Sequence, residues 1–561
     1  MAGILTLSAI WNGFKTPKSF NNTLLKEEII EKFNISHNRL SGRKTSKGGV
    51  KIYYTTVKKK NVKIAPVVII AQDFGCATDL SLAYKLASKG YICITVDLEG
   101  QKEGKDFYTE YPEDVSYANY DEELASKTST EDATKTCWYE WACALKYVYK
   151  FARETYAESK IGFFGINDGA TTVIHTIATE ENVSCAVLVG GSGWRAYKGI
   201  EKYGDTPEPH FNDDIFKFIA GIDAQTYSNK IKAPTLMLSA TNSYRFDADR
   251  AYDTISRIEE DVYTAFNLSV NHRNVVDFAS FNDAEIFLGK FLLEKEVNLP
   301  KEIIVKCEFE DGKCCIEVTP DEEDIKNLEI YVAEEIVSPS VRSWKRKTDV
   351  EEKNGNTYSF TYTPYYKSGK VFVFAKAYYK NRFVISSMIV CKSFGEEEVL
   401  PKTKGVIVYS SRIKEGNTAF APLKENLTKP YGIRIEDGGL VEEKEALNDI
   451  SGVTCKDGLI TYRVGALKYQ PSEDSIFMFD ACADKEGKLR VGLLSYKNDV
   501  VIEYFTTIKI VGNTWQNVKL SVKSFKTKDG APIRDFGGIN AISFDVEDET
   551  TEFFINNALW V

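Results

Sequence analysis

One short segment constrains the fold of this chain more than any other: residues 161–170, with the sequence IGFFGINDGA. Its first residues form an apolar run, which predicts a short buried strand. Gly165 and Gly169 then flank Asn167, and a stretch of small residues predicts a helix directly after the turn. A strand, a glycine-flanked turn and a helix in this order hold one side chain, here that of Asn167, at the edge of a sheet.

Strand-like and helix-like patterns alternate over residues 51–295, which predicts a mostly parallel sheet with helices on both faces, an α/β fold. The strands are predicted at 50–56, 66–71, 91–97, 161–165, 186–190, 235–239 and 263–268. The helices are predicted at 80–88, 134–156, 170–178, 248–258 and 282–293. Residues 102–133 are polar and rich in Tyr, and we expect them to form a cap over the edge of this sheet.

Only strand-like patterns follow residue 300, so the chain divides into an α/β part and two all-β parts. We predict an N-terminal extension at 1–49, the α/β domain at 50–299 and an immunoglobulin-like sandwich at 300–395. A charged segment closed by Pro and Gly predicts a linker at 396–404. Even strand spacing over 405–561 predicts a jelly roll of two packed sheets.

The composition is that of an ordinary globular protein, with 43% hydrophobic and 27% charged residues among 561. The formal net charge is -10 and the sequence contains no block of basic residues, which argues against nucleic acid and anionic membranes as partners. We expect a cytoplasmic protein, because no apolar run could span a bilayer and the first residues do not resemble a signal peptide. The eleven irregularly spaced cysteines are then predicted to be buried, reduced thiols.

Residues 50–295 resemble an α/β-hydrolase, and more narrowly the group of acetyl xylan esterases and cephalosporin-C deacetylases. Besides the glycine-flanked turn, the resemblance rests on four segments: VVIIAQDFG (67–75), GYICITVDLEGQ (90–101), PTLMLSATN (234–242) and LSVNHRN (268–274). In such enzymes the first segment supplies an oxyanion-hole amide, the third carries the catalytic acid and the last carries the catalytic histidine. The resemblance therefore implies a serine esterase with its nucleophile at the turn.

Three of the implied catalytic positions depart from that pattern. Asn167 occupies the nucleophile's position, and Ser243 occupies the position of the acid. The oxyanion loop, which in the family has a His-Gly pair, reads Gln72, Asp73, Phe74. Only His272 is retained. Because an amide nitrogen has its lone pair delocalised and cannot attack an ester, we predict no hydrolysis at this turn, and no catalytic metal or cofactor.

Other residues near the turn leave alternatives open. Asp168 would act as a displaced carboxylate nucleophile only after a register shift, and we interpret it as an acid that favours the start of the helix. Cys76 follows the oxyanion loop and is an alternative thiol nucleophile, although a small packed side chain is the simpler interpretation. His175 lies among apolar residues and is interpreted as a buried, hydrogen-bonded histidine.

Residues 405–561 resemble a jelly-roll carbohydrate-binding module. The resemblance rests on WQNV from Trp515, on Ser524 and Phe525, and on the final FINNALW at 554–560. Asn556 stands where the family often has an aspartate, so a structural calcium ion there stays an open alternative.

These observations lead to one main hypothesis and two alternatives. The main hypothesis is a non-catalytic relative of carbohydrate esterases with a binding or assembly role, whose partners are a glycan or further copies of the chain. The first alternative is an active esterase on an acylated glycan, with a displaced nucleophile and His272 as base. The second is a self-assembling structural protein.

Overall fold

The structure is a computed structural model, and it describes most of the chain from residue 7 onward. The residues that it does not describe are 1–6, 18, 77–78, 103, 205–209, 244, 271–273, 311–312, 322–323, 335–336, 340–341, 343, 348–351, 363–369, 394–405, 412–419, 427–440, 449, 467–468, 498–499 and 549. The predicted linker at 396–404 and His272 both lie outside the described residues.

The α/β part is built on one sheet. Its described strands are β1 (Asn22–Ile30), β2 (Phe33–Thr45), β3 (Gly48–Lys59), β4 (Val67–Ala71), β5 (Ile92–Val96), β6 (Ile161–Ile166), β7 (Cys185–Val189), β8 (Thr235–Ala240) and β9 (Thr264–Ser269). They are ordered β1-β2-β3-β5-β4-β6-β7-β8-β9. Strands β4 to β9 are parallel to one another, whereas β1, β2 and β3 pair antiparallel, including β3 with β5. The predicted mostly parallel sheet is confirmed.

Helices cover both faces of this sheet. In the described chain they are α1 (Leu7–Trp11), α2 (Ser81–Ser88), α3 (Glu122–Ser126), α4 (Cys137–Thr155), α5 (Asp168–Ile177), α6 (Asp213–Gly221), α7 (Ala248–Ile255) and α8 (Phe278–Leu292). Another described helix, α9 (Leu423–Asn426), packs in the last all-β part of the chain. Successive residues of β4 pack into opposite cores: Ile69 joins one apolar cluster, while Val68 and Ile70 join the other. All three are fully buried, as expected of a parallel strand covered on two sides.

The N-terminal boundary differs from the predicted one. Residues 22–45, assigned above to an extension outside the α/β domain, form β1 and β2 and continue the same sheet through β3. The sequence signal is weak because most of β1 is exposed and carries Lys26, Glu27 and Glu28. An outer antiparallel hairpin needs few apolar residues, since its hydrogen bonds to β3 supply most of its order.

The first all-β part consists of two antiparallel sheets. Its described strands are β10 (Ile303–Glu310), β11 (Lys313–Pro320), β12 (Ile325–Glu334), β13 (Lys345–Lys347), β14 (Glu352–Asn354), β15 (Thr357–Tyr362), β16 (Lys370–Tyr379), β17 (Val384–Ser386) and β18 (Val390–Ser393). One sheet has the order β10-β11-β15-β14 and the other β13-β12-β16-β17, with β18 also paired to β16. We call this part the first sandwich.

The second all-β part, the second sandwich, also has two antiparallel sheets. Its described strands are β19 (Val406–Tyr409), β20 (Ala421–Pro422), β21 (Glu442–Leu447), β22 (Ile450–Thr454), β23 (Leu459–Thr461), β24 (Ile476–Ala483), β25 (Gly487–Lys497), β26 (Val500–Ile510), β27 (Gln516–Ser521), β28 (Ala541–Val546) and β29 (Phe553–Trp560). The sheet orders are β21-β22-β29-β24-β27, with β19 on β29, and β20-β23-β28-β25-β26. An α/β part followed by two all-β parts is therefore confirmed.

The first sandwich packs directly on the α/β part. Arg342 and Asp249 form a two-point ion pair at 2.7 and 2.8 Å, and both side chains are fully buried. The Arg342 guanidinium also lies 3.7 Å from the ring centre of Phe372 on β16. Trp344 and Phe266 belong to one apolar cluster, so the two parts share a core.

Candidate functional site

The turn between β6 and α5 has the strained backbone that holds a side chain above a sheet. Asn167 has φ 50° and ψ -113°, and its N–H donates to Val189 O at 2.7 Å. A Cβ at Gly165 would lie 2.5 Å from Ala170 Cα, and one at Gly169 would lie 2.2 Å from Ala71 O. Neither position can therefore hold a larger residue, and the turn keeps its shape without a serine.

The Asn167 side chain is held by the loop that follows β4. Its Nδ2 donates to Asp73 Oδ2 at 2.8 Å, which joins the nucleophile position to the oxyanion-loop position. Asp73 Oδ1 accepts from the backbone N–H of Phe74 at 2.9 Å. Arg245 Nη1 donates to both oxygens of Asp73 at 3.0 Å. A carboxylate paired with an arginine therefore lies beside the residue at the turn.

Asp168 belongs to the same network. Its carboxylate, 3% exposed, accepts from Arg195 Nη1 at 2.9 Å and pairs with Arg245 through the other oxygen. Arg195 in turn lies 4.4 Å from the ring centre of Trp138 on α4. We call Asp73, Asp168, Arg195 and Arg245, with Asn167, the elbow network. With each acid paired to a guanidinium, these charges are internally balanced.

The predicted acid position, Ser243, is surrounded by neutral hydrogen-bonding groups. Ser243, after β8, accepts a hydrogen bond on Oγ from Asn274 Nδ2 at 3.0 Å, while Asn274 Oδ1 accepts from Ala240 N at 2.8 Å. A Cβ at Gly190 would lie 2.7 Å from Asn274 Nδ2 and 2.9 Å from Asn167 Oδ1, so both amides converge there. The structure thus brings Asn167 and Asn274 together; His272 belongs to the undescribed 271–273.

The first sandwich fixes the loop that carries Ser243. Asn242 Nδ2 donates to Arg342 O at 2.8 Å and to Pro339 O at 3.2 Å. Both side chains, Asn242 and Ser243, are 6% exposed. The loop is therefore clamped between the sheet and a neighbouring domain.

Residues from the predicted cap pack on the oxyanion loop. Phe74 stacks on Tyr120 with ring centres 4.8 Å apart and lies 4.3 Å from Trp141. Gln72 turns away and donates from Nε2 to Asp79 O at 2.9 Å. The backbone N–H of Gly75 donates to the buried Glu99 carboxylate. Two consecutive amides of this loop, those of Phe74 and Gly75, are thus bound by carboxylates.

The surroundings of Cys76, the alternative nucleophile, and of His175 do not favour catalysis by either side chain. Burial raises the pKa of the Cys76 thiol, which disfavours its thiolate. Burial lowers the pKa of His175 to about 4, and its Nε2–H donates to Ile222 O at 2.6 Å. His175 is therefore a neutral core residue, engaged with a carbonyl.

The hydrogen bonds of Asn556 do not suit a side chain that binds a calcium ion. Its Oδ1 accepts from Ser411 N at 2.9 Å and from Asn557 N at 2.8 Å. Because two backbone donors already engage this oxygen, it is not directed at a cation. Across the described residues, no three His, Cys, Asp or Glu side chains are grouped as metal ligands.

Sequence reasoning missed Arg195, Arg245 and Asn274. Arg245 lies two residues after Ser243, and Asn274 lies two residues after His272, so both occur in segments already marked for other reasons. Arg245 lies 77 residues from Asp168 in the sequence, and Arg195 lies 27 residues from it. Only the fold brings these side chains together. Without the fold, no local pattern identifies such partners.

The chain is similar in structure to solved esterases over about half its length. Acetyl xylan esterase 1 from Thermoanaerobacterium sp. JW/SL YS485 is 15% identical, with 51% of this chain and 93% of that chain covered and a TM-score of 0.40. Acetyl xylan esterase from Paenibacillus sp. R4 is 14% identical, with 51% and 92% covered and a TM-score of 0.39. A cold-adapted esterase from an Arctic intertidal metagenomic library is 12% identical, with 49% and 99% covered and a TM-score of 0.34.

At these identities and TM-scores the likeness carries no conclusion about activity, and the sheet order itself defines the α/β fold. No family profile and no curated protein matches the sequence. None of the described helices combines the length and the apolar character that crossing a bilayer requires.

Proposed function

We propose that the α/β part is a non-catalytic relative of carbohydrate esterases, kept as a folded scaffold for binding or assembly. The observation that carries this proposal is the hydrogen bond from Asn167 Nδ2 to the Arg245-paired carboxylate of Asp73. In a serine esterase the corresponding atoms would be a nucleophilic oxygen and the donors of an oxyanion hole.

The charge at the oxyanion loop supports the proposal. Ester hydrolysis develops negative charge on the substrate's carbonyl oxygen, and loss of one donor to that oxygen costs about 10²–10³ in kcat. Here Asp73 brings a carboxylate to this loop, and the Phe74 and Gly75 amides donate to Asp73 and Glu99. An oxyanion would meet repulsion where catalysis requires donors.

The acid position adds a second, independent argument. Ser243 and Asn274 hydrogen bond to each other, and neither side chain carries a negative charge. A histidine base gains its orientation and the stability of its protonated form from a carboxylate. The neutral pair supplies no such charge for His272.

Ester turnover tests this proposal. We expect p-nitrophenyl acetate to be hydrolysed no faster by the wild-type protein than by buffer between pH 5 and 9. His272→Ala should change nothing, and neither should the control His210→Ala, which replaces an exposed histidine. Turnover that His272→Ala abolishes and His210→Ala preserves would establish the active-esterase alternative instead.

A cavity of about 350 Å³ in the second sandwich supports a binding role. It is lined by charged residues, among them Lys444, Asp484 and Glu552, and by apolar residues that include Leu447 and Phe554. Several polar groups around one cavity suit a small polyhydroxylated ligand. Titration with xylo-oligosaccharides should show binding that Lys444→Ala weakens and that Lys488→Ala, a control on another exposed lysine, leaves unchanged. If calorimetry gives the same heat of titration with and without protein, a glycan partner is contradicted.

The assembly role is separable from glycan binding. Light scattering over a concentration series would reveal self-association, which we expect as a rise in mass with concentration. A monomer at every concentration would remove further copies of the chain as partners and leave binding as the role.

A further inference from the structure

Two cysteines meet inside the first sandwich, on the hairpin formed by β10 and β11. Cys307 Sγ and Cys314 Sγ are 2.7 Å apart. The strands pair Cys307 with Ile316 and Phe309 with Cys314, so the two cysteines are diagonal neighbours on one face. A disulfide bond is about 2.05 Å long, so bond formation requires a shift of less than ~1 Å between the sulfurs.

The pair lies in the core that joins the sandwich to the α/β part. Cys307 is 2% exposed and Cys314 is fully buried, and their apolar cluster includes Phe287 and Leu292 of α8. Strand β10 is the outer strand of its sheet, with β11 as its neighbour. Cys307 therefore lies on an outer strand, whereas Cys314 lies on β11, which is paired with both β10 and β15.

We propose that Cys307 and Cys314 form a reversible cross-strand disulfide, a covalent redox site independent of the elbow network. With a low-molecular-weight disulfide such as glutathione disulfide as oxidant, the Cys307 thiolate attacks one of its sulfurs and releases one glutathione thiolate. The Cys314 thiolate then attacks Cys307 Sγ in the mixed disulfide and releases the second. Two protein thiols lose two electrons and two protons, and one glutathione disulfide becomes two thiols.

The sulfur–sulfur contact couples the two thiols. Either sulfur can be the donor in this contact, which lowers the pKa of Cys307 and raises that of Cys314. Cys307 is written as the first attacker, and the reverse order gives the same disulfide.

Peptide mapping of the full chain tests the pair. The protein is refolded in a glutathione redox buffer, so that burial does not limit access, and is then denatured, alkylated and digested without reductant. We expect a peptide linking Cys307 to Cys314, a loss of two alkylatable thiols from the eleven, and full recovery after dithiothreitol. Cys315→Ser is the matched control, because Cys315 is adjacent in β11 but on the opposite face, and it should retain the link.

The link should be absent from Cys307→Ser and from Cys314→Ser. If either variant does not fold, the wild-type and Cys315→Ser maps decide the matter, since they require no change at the pair. Complete alkylation of both cysteines after oxidative refolding, or a link from either one to a different cysteine, would overturn the proposal.

Discussion

Two arginine–carboxylate networks in this protein differ in burial and in the parts of the molecule that they connect. At the elbow, Arg245 is 29% exposed and bridges Asp73 and Asp168. At the junction with the first sandwich, Arg342 and Asp249 are both fully buried. The first network surrounds the turn between β6 and α5, whereas the second holds two domains together. Water partly screens the charges of the elbow network. We therefore expect a substitution there to lower the free energy of unfolding less than a substitution at the junction.

The largest effect is expected at the junction. Arg342→Met should lower the free energy of unfolding by about 3–5 kcal/mol, because Asp249 would stay buried and charged without a partner. Asp249→Asn combined with Arg342→Met should recover much of that loss. Urea unfolding measures both.

Arg346→Met is the control for that comparison, since Arg346 is 57% exposed and its buried partner Glu329 keeps hydrogen bonds from Tyr331 and Tyr378. It should cost at most about 1 kcal/mol. An Arg342→Met variant as stable as Arg346→Met would show that burial does not separate the two kinds of pair.

A pH effect is expected from a second buried acid at the junction. Asp283 accepts from Asn267 Nδ2 at 2.7 Å and from Val384 N at 3.1 Å. Burial raises its pKa from 3.8 to about 7, and the nearby Lys376 offsets only part of that shift. Because the folded state binds this proton more tightly than the unfolded chain, its contribution to stability falls as pH rises from about 4 to about 7.

The urea concentrations at the midpoint of unfolding, measured at pH 5 and pH 7, test whether stability falls as pH rises. The wild-type midpoint should fall with pH, and Asp283→Asn, which cannot titrate, should show a smaller fall. Asp324→Asn, at an exposed acid, should behave as the wild type. Equal pH dependence in Asp283→Asn and the wild type would mean that Asp283 is ionised in the folded protein throughout.

A smaller effect is expected at the elbow. Arg245→Gln should lower the free energy of unfolding by about 1–2 kcal/mol, since it removes charged hydrogen bonds to Asp73 and Asp168. Arg195 keeps its ion pair with Asp168, which limits the loss. The control Arg153→Gln changes an arginine whose bond to Asn182 O is 3.4 Å long, and it should cost under about 0.5 kcal/mol. A loss equal to that of Arg342→Met would remove the contrast between the two networks.

The smallest effect is expected at Asn167 itself. Asn167→Ser should cost under about 1 kcal/mol, because asparagine tolerates positive φ better than serine and one hydrogen bond is lost. It should also create no ester turnover, since Asp73 and Ser243 remain. Asn182→Ser, at an exposed asparagine with φ 60°, measures the backbone contribution alone. Substantial hydrolysis by Asn167→Ser would show that the rest of the catalytic apparatus is intact.

The strands of the parallel sheet were predictable because burial on two faces leaves continuous apolar runs. VVIIA in β4 and ICITV in β5 are examples, and both strands are buried at every position. β1 escaped prediction for the opposite reason, as its exposed face carries charged residues without a clear apolar period. Local sequence pattern indicates burial, and the outer strand β1 has little of it.

The site was predictable only in part. The two glycines of the turn are fixed by close backbone contacts, so the position of Asn167 could be inferred from the sequence. The guanidinium partners could not be inferred, because Arg195 and Arg245 reach Asp168 from loops after β7 and β8. The contact of Asn242 with Arg342 crosses a domain boundary and is equally invisible to local pattern.

Labelling with a fluorophosphonate probe, followed by peptide mapping, tests the central claim most directly. Such a probe reacts with activated hydroxyl nucleophiles, whatever ester the protein would accept. The account predicts no adduct on any side chain around Asn167, including Ser243. A stoichiometric adduct on one of them, lost in His272→Ala, would contradict it.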